Sequence, residues 1–143
     1  MKKFIIIFFL FVFTKSKSQD INLNTLDNFV NKWLGKPYRF GGVSERGIDC
    51  SAFVQKYIKY IYNFDIPRTC VKQFNYLSEV SFNKLKIGDI LYFFSKKSPS
   101  KWHCGIYLGN EQFIHAANHK EGVRISCLSD SIYLKNLKGI RRL

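Results

Sequence analysis

A chain of 143 residues with a net charge of +13 is long enough for one domain and leaves little room for a second. Its cysteines, Cys50, Cys70, Cys104 and Cys127, are too few for a disulfide-rich scaffold and show none of the C-x₂₋₄-C pairs typical of zinc sites. A strongly basic surface favours polyanions. Because the start of the chain predicts export, we expect the anionic cell wall or membrane surface rather than nucleic acid, the alternative being an ordinary solvated surface.

The first 18 residues predict a secretory signal peptide. Two lysines precede the apolar run Phe4–Phe13, which is about half the length of a bilayer-spanning helix. Ser16 and Ser18 then fit a small-x-small cleavage pattern. We therefore divide the chain into a signal peptide, 1–18, and one mature domain, 19–143. The leader carries four lysines and no acid, so the charge falls from +13 to +9. A retained membrane anchor is the alternative.

The first half of the mature chain is predicted to be helical. Apolar residues recur at helical spacing between Leu26 and Leu34, and Asn24 is the expected N-cap. A glycine-rich loop follows at 38–47. A second amphipathic helix is expected to begin at Cys50, and a short third helix at 69–77 ends this half.

The second half is predicted to be an antiparallel sheet. The expected strands are 90–94, 103–108, 112–116, 123–128 and 139–143. A tight turn near Asn110 joins the second and third of these into a hairpin. Helices followed by strands make an α+β fold, in which N-terminal helices pack on a central antiparallel sheet.

Cys50 is the candidate nucleophile. It lies where the glycine-rich loop meets the second helix, and the free N–H groups of a helix N-terminus lower the pKa of a thiol. Asp49 before it is a good capping residue. Cys70, Cys104 and Cys127 lie inside predicted elements and are expected to be small buried hydrophobes. If Cys50 stays free, the other three allow at most one intramolecular disulfide.

The candidate base is a histidine, whose pKa is ordinarily close to neutral. His103 begins one strand of the hairpin and His115 lies in the other, so we expect the two to be close to opposite one another. His103 would take the thiol proton while His115 orients its ring, and His119 is expected to be solvated. A catalytic zinc is the competing use of these residues. The nearby carboxylates, Asp89 and Glu111, are explained by turns, and we expect no metal site.

Four segments of the sequence, in this order and at these intervals, resemble those of one family. They are Pro37–Gly42 with Gly47–Val54, Leu85–Phe93, Trp102–Gly109, and Phe113–Ala116 with Gly122–Ile125. The family is the NlpC family of papain-like cell-wall peptidases, and the resemblance covers nearly all of the mature chain. It implies a papain-like α+β fold with a Cys-His-His triad made of Cys50, His103 and His115.

The resemblance also implies a substrate and residues that contact it. Tyr38 would assist substrate binding or the oxyanion, and Asp49 and Ser51 would line the cleft; the local alternatives are a packed loop tyrosine, a helix cap and a first-turn serine. The implied protein is an exported peptidoglycan hydrolase of the periplasm or cell envelope. It would be a cofactor-free cysteine endopeptidase that cleaves stem-peptide or cross-link amide bonds, such as D-γ-glutamyl-diamino acid. The alternatives are an acyltransferase or amidase on the same scaffold, and a non-catalytic module that binds wall peptides.

Two positions depart from the family pattern. Cys70 stands where a small residue is ordinary, and Cys104 stands where Val or Ala is typical. Neither change removes a member of the implied triad. Together they raise the possibility of a disulfide from Cys70 to the sheet, which the sequence leaves open.

Overall fold

The computed structural model describes residues 20–143, so the predicted signal peptide lies outside the described residues. The elements in chain order are α1 Leu23–Trp33, β1 Val43–Ser44, β2 Gly47–Ile48, α2 Cys50–Tyr62, α3 Cys70–Tyr76, β3 Ser78–Val80, a 3₁₀ turn Phe82–Lys84, β4 Ile90–Phe94, β5 Trp102–Gly109, β6 Gln112–Asn118, β7 Gly122–Cys127, α4 Ser131–Leu134 and β8 Leu137–Arg142. Within residues 20–143, no helix is both long and apolar enough to cross a bilayer.

Helix α1 begins before the predicted cap. Asn22, rather than Asn24, is the N-cap, and its Oδ1 accepts a hydrogen bond from the N–H of Thr25 at 3.1 Å. Asparagine occurs at both positions, so residue type alone could not tell the cap from a first-turn residue. The predicted apolar stripe is confirmed, since Leu26, Phe29 and Trp33 are buried.

Helix α2 begins at Cys50, as predicted. Asp49 is its N-cap, and Asn63 ends it in a left-handed conformation with φ of 51°. The buried residues of this helix are Cys50, Ser51, Ala52, Phe53, Val54, Tyr57 and Ile58. They lie against β5 and β6, which brings the start of α2 to the centre of the sheet.

Strands β3 to β8 form one six-stranded antiparallel sheet in the order β3-β8-β4-β5-β6-β7, and β1 pairs with β2 apart from it. The predicted α+β architecture is therefore confirmed. The five predicted strands are present, one (90–94) with the predicted ends and four with shifted ends. Five short elements were not predicted: β1 and β2 inside the glycine-rich loop, β3, the 3₁₀ turn and α4. Each has two to four residues, which is too short for a recognisable hydrophobic period.

Apolar side chains cover both faces of the sheet. On the helix side, the core includes Phe53 and Tyr57 of α2 together with Tyr92, Cys104 and Ile106 of the sheet. On the opposite side, the core is smaller, and its buried members are Leu91, Phe93, Phe113, Leu128 and Ile140. Successive residues of a strand point to opposite faces of the sheet, so Cys104 and the residues next to it in the sequence lie in different environments.

Candidate active site

Cys50 is the first residue of α2, and only 8% of it is exposed. Asp49 Oδ1 accepts the N–H of Ala52 at 2.9 Å, and the Asp49 carbonyl accepts the N–H of Phe53 at 2.9 Å. The N–H groups of Cys50 and Ser51 have no hydrogen-bond partner within residues 20–143. Free N–H groups at a helix N-terminus stabilise negative charge, so this end of α2 favours both a thiolate and an oxyanion.

The Asp49 carboxylate is held by an arginine that the sequence did not single out. Arg68 donates from Nη1 to Oδ1 at 3.0 Å and from Nη2 to Oδ2 at 2.7 Å. Arg68 Nη1 also donates to Ser51 Oγ at 2.8 Å, and the N–H of Gly41 donates to Asp49 Oδ2 at 3.0 Å. Asp49 and Ser51 are therefore tied into a network that fixes the start of α2, while the Arg68 side chain is 36% exposed at its edge.

Two further cysteines lie beside the Cys50 sulfur. Cys70 Sγ is 3.7 Å from Cys50 Sγ and 3.4 Å from Cys104 Sγ. All three sulfurs lie within 4.8 Å of one another, and all three residues are buried. We call this group the thiol cluster. Cys70 begins α3 rather than lying inside it, which is why its side chain can reach the start of α2.

The thiol cluster separates the acidities of its members. The thiols of Cys104 and Cys70 lower the pKa of Cys50 most strongly; burial opposes this and the nearby His103 adds to it, so the pKa falls well below its usual range. Burial, followed by the neighbouring sulfurs, raises the pKa of Cys104. Cys104 lowers the pKa of Cys70, but Cys50 and burial outweigh this and the pKa of Cys70 is raised. The negative charge therefore lies on Cys50.

Two histidines and a serine form a second hydrogen-bonded group, which we call the imidazole relay. His103 Nε2 lies 2.6 Å from His115 Nδ1, and His115 Nε2 lies 2.9 Å from Ser126 Oγ. His103 lies in β5, His115 in β6 and Ser126 in β7, so three consecutive strands supply the relay. These bonds use His103 Nε2 and leave Nδ1 as the nitrogen available to exchange a proton with a thiol.

His115 is held neutral. Burial, followed by the positive charges of His103 and Arg124, lowers the pKa of His115 well below its usual range. A neutral His115 that donates from Nε2 to Ser126 Oγ has an acceptor at Nδ1, which takes the N–H of His103 Nε2. In this tautomer of His115, Nδ1 of His103 is free to act as a base.

Gly105 lets the two rings meet. A Cβ at this position would lie 2.7 Å from Phe113 Cδ2, 2.9 Å from the Ile114 carbonyl oxygen and 3.0 Å from His115 Cβ. The pair Ile106–Ile114 sets the register of β5 and β6. Gly105, rather than His103, therefore lies directly against His115, and His103 is offset from it by two residues. The prediction that the two histidines lie close together on neighbouring strands is confirmed. The absence of a side chain at Gly105 opens the diagonal path between the rings.

Residues 35–142 match the sequence model of the NlpC/P60 family. The chain belongs to the NlpC/P60 family. The family resemblance inferred from the sequence is thereby confirmed, and the members of this family are cysteine peptidases.

Relatives of this NlpC/P60 chain include named endopeptidases. A probable endopeptidase of Haemophilus influenzae is 37% identical over 113 residues, which are 79% of this chain and 70% of the relative. The murein DD-endopeptidase MepS/murein LD-carboxypeptidase of Escherichia coli K12 is 33% identical over 127 residues, 89% of this chain and 65% of the relative. The crystal structure of an NlpC/P60 family protein from Bacillus cereus aligns with a TM-score of 0.74 at 29% identity, covering 85% of this chain and 40% of the other. Each of these proteins extends beyond the matched region.

Tyr38 lies in the loop before α2, within electrostatic reach of Cys50. Burial, followed by the nearby charges of Cys50 and Asp49, raises the pKa of Tyr38 to about 12. Its hydroxyl therefore keeps its proton at neutral pH and can act only as a hydrogen-bond donor toward an anion beside Cys50.

Other polar residues named from the sequence lie outside this NlpC/P60 site. His119 is exposed. Cys127 Sγ lies 3.0 Å from Ser129 Oγ and is not part of the thiol cluster. Asp89 accepts the N–H of Lys86 at 2.8 Å, as a turn residue does, and also pairs with an arginine of β8.

Sequence reasoning missed Ser126 and Arg68 as parts of the site. Ser126 lies opposite Phe113 in the β6–β7 register, on the face that His115 shares. Counting back from the turn between these strands could have found it. Arg68 precedes α3 in a loop, and no local period relates a loop residue to a helix cap 19 positions earlier.

Proposed function

We propose that this NlpC/P60 protein is an exported cysteine endopeptidase that cleaves amide bonds in peptidoglycan stem peptides or their cross-links. The proposal rests on Cys50, which has a lowered pKa and lies at a helix N-terminus. The imidazole relay leaves His103 Nδ1 available as the base. A relative from Escherichia coli is named a murein DD-endopeptidase, which supports peptidoglycan as the substrate.

The reaction begins with the proton of the Cys50 thiol on His103 Nδ1. The Cys50 thiolate attacks the carbonyl carbon of the scissile amide and forms a tetrahedral oxyanion. The free N–H groups of Cys50 and Ser51 donate to this oxyanion, and donors of this kind contribute about 3 kcal/mol each. His103 then gives its proton to the leaving amine, which leaves a thioester on Cys50.

Hydrolysis of the thioester completes the cycle. His103 Nδ1 takes a proton from water, and the resulting hydroxide attacks the thioester carbonyl. Collapse of the second oxyanion releases a carboxylic acid and returns Cys50 to the thiolate. His115 stays neutral throughout, because burial and the adjacent positive charge of His103 lower its pKa. It therefore orients His103 rather than accepting its proton.

Substrate contacts are assigned to Tyr38, Asp49 and Ser51. The Tyr38 hydroxyl donates to the oxyanion or to a substrate carbonyl, since it remains protonated. Asp49 and Ser51 line the cleft through their network with Arg68, whose partly exposed guanidinium presents the outer edge of that network to a substrate carboxylate.

Export is the second part of the proposal. Residues 1–18 have the charged start, apolar middle and small residues of a signal peptide. The mature charge of +9, obtained by removing four lysines from +13, suits an anionic cell wall. Mass measurement of the mature protein from the envelope fraction is expected to show an N-terminus at Gln19; an intact Met1 would contradict the leader.

The central test is digestion of purified sacculi. The wild type is expected to release soluble muropeptides whose masses include one added water per cleaved amide, and Cys50→Ala is expected to release none. Cys127→Ala is the matched control, since Cys127 lies outside the thiol cluster. Products without added water would favour an acyltransferase. Binding to sacculi without release by the wild type would favour a non-catalytic module.

A further inference from the structure

The thiol cluster places two sulfurs beside the nucleophile that supply neither the base nor the oxyanion site. A nucleophile needs a base and an oxyanion site, and neither role uses Cys70 or Cys104. Their sulfurs nevertheless lie 3.4 Å apart, and Cys70 lies 3.7 Å from the nucleophile. The start of α3, the start of α2 and strand β5 each place one sulfur at this point, so three separate parts of the fold converge on it.

The spacing of the sulfurs suits a metal ion. With Zn–S bonds of about 2.3 Å, tetrahedral coordination places thiolate sulfurs about 3.8 Å apart. The contacts of 3.7 and 3.4 Å are close to that value, and the third separation is no longer than 4.8 Å. Rotation of one side chain about its Cα–Cβ bond can shorten the third separation, between Cys50 Sγ and Cys104 Sγ, to the value for tetrahedral coordination. Such a rotation moves the sulfur without moving the backbone.

A disulfide requires a larger change at the same place. Bonded sulfurs are about 2.05 Å apart, so Cys70 and Cys104 would have to approach by more than 1 Å from 3.4 Å. A disulfide would also leave Cys50 as the only free thiol of the cluster. Cys70 Sγ lies at similar distances from Cys50 Sγ and Cys104 Sγ. This arrangement favours one ion bound by all three sulfurs over a disulfide between two of them.

We propose that Cys50, Cys70 and Cys104 form a binding site for a thiophilic metal ion of the Zn²⁺ class, and that the bound ion inhibits the enzyme. The inhibition rests on the proposed function, because it acts by occupying the Cys50 sulfur. A fourth coordination position remains for water or for His103 Nδ1.

Binding exchanges protons for the ion. The ion forms three metal–sulfur bonds, and each thiol that is still protonated releases its proton to solvent. Apparent affinity is therefore expected to rise with pH. While the ion is bound, the lone pair of Cys50 that attacks the substrate is used in a metal–sulfur bond, and removal of the ion restores it.

The test uses Co²⁺ as a spectroscopic probe on the reduced full chain. The wild type is expected to show a near-ultraviolet sulfur-to-cobalt charge-transfer band that saturates at one ion per chain and disappears when Zn²⁺ displaces Co²⁺. Zn²⁺ is expected to inhibit muropeptide release, and a chelator to restore it. Cys127→Ala is the matched control and is expected to behave as the wild type does.

Cys70→Ala and the double variant Cys70→Ala/Cys104→Ala test the ligands. Changes outside the metal's direct ligands typically cost 10–100-fold in affinity, so loss of two ligands is expected to weaken Co²⁺ binding by more than about 100-fold. The Zn²⁺ concentration that halves each variant's own metal-free rate is expected to rise in parallel. The single variant keeps the test valid if the double variant does not fold.

Three results would overturn the site: no charge-transfer band in the reduced wild type, an unchanged band in both variants, or a Cys70–Cys104 disulfide that persists under the reducing conditions. The band does not depend on turnover. A charge-transfer band without muropeptide release would contradict the proposed function and support the metal site. Muropeptide release without a band would support the proposed function and contradict the metal site.

Discussion

The imidazole relay and the thiol cluster meet at one sulfur, but they are built differently. In the relay, a His103 ring that carries the thiol proton can only donate from Nε2 to Nδ1 of neutral His115, and His115 Nε2 then donates to Ser126 Oγ. In the cluster, the thiols of Cys70 and Cys104 are weak donors, and the Cys50 thiolate, whose pKa they lower, can only accept. The relay therefore positions a base, whereas the cluster stabilises the negative charge on Cys50.

This difference predicts separate effects for changes in the two groups. Damage to the relay should reduce turnover while Cys50 stays acidic, because the cluster sulfurs lower its pKa more than His103 does. Damage to the cluster should change the acidity of Cys50 while the base stays in place. The four variants below test this separation, in order of expected effect.

His103→Gln is expected to cause the largest loss within the relay. It removes the group that carries the proton from thiol to leaving amine, and such a group typically contributes about 10²–10⁴-fold to the rate. The measurement is the rate of muropeptide release, with His119→Gln as control because His119 is exposed. Wild-type turnover in His103→Gln would remove His103 from the mechanism.

Gly105→Ala is expected to misplace the relay without removing any member of it. The added Cβ would meet Phe113, the Ile114 carbonyl and His115 at 3.0 Å or less, so β6 must shift. Overpacking of this kind costs about 1–3 kcal/mol of stability, and a small misplacement costs about 10²-fold in rate. Thermal unfolding and muropeptide release measure the two effects. Full activity at unchanged stability would show that the close approach is not needed.

Ser126→Ala is expected to have a smaller effect on the relay. The variant loses the acceptor of His115 Nε2 but keeps the volume and the strand. One net hydrogen bond is about 1 kcal/mol, or roughly fivefold in rate. Ser126→Thr should restore activity if the hydroxyl is what matters. An equal loss in the Ala and Thr variants would indicate packing instead.

Cys104→Ala is expected to have the smallest effect on turnover at alkaline pH and a visible one at neutral pH. Cys104 lowers the pKa of Cys50 more than any other group, so its removal raises that pKa and reduces the thiolate present below it. The pH profile of muropeptide release should move to higher pH, with Cys127→Ala unmoved. A pH profile shifted to lower pH would show that Cys104 raises, rather than lowers, the pKa of Cys50.

The same contrast explains what the sequence could predict. Hairpin arithmetic brought His103 and His115 together, because strand residues near a turn have a countable partner. The offset of two residues lies in the register, because Ile106 pairs with Ile114 and this sets Gly105, not His103, against His115. Asp49 and Cys50 were found for a similar reason, since caps and helix starts leave local signals.

The thiol cluster was invisible to this kind of reasoning. Cys70 and Cys104 are 34 positions apart and lie on a helix and a strand whose packing no local pattern specifies. Sequence spacing excluded the local ligand pairs of common zinc sites, but it could not exclude sulfurs brought together by the fold. Arg68 was missed for the same reason, because its partner Asp49 is reached through tertiary structure.

The most direct test of the account is the pH dependence of alkylation at each cysteine of the native chain, followed by peptide mass. Unperturbed cysteine has a pKa of about 8.5. The account predicts that Cys50 reacts first, with a midpoint well below that value, while Cys70 and Cys104 stay unreactive until much higher pH. A Cys50 midpoint at or above that of Cys127 would contradict the ionised nucleophile on which the mechanism depends.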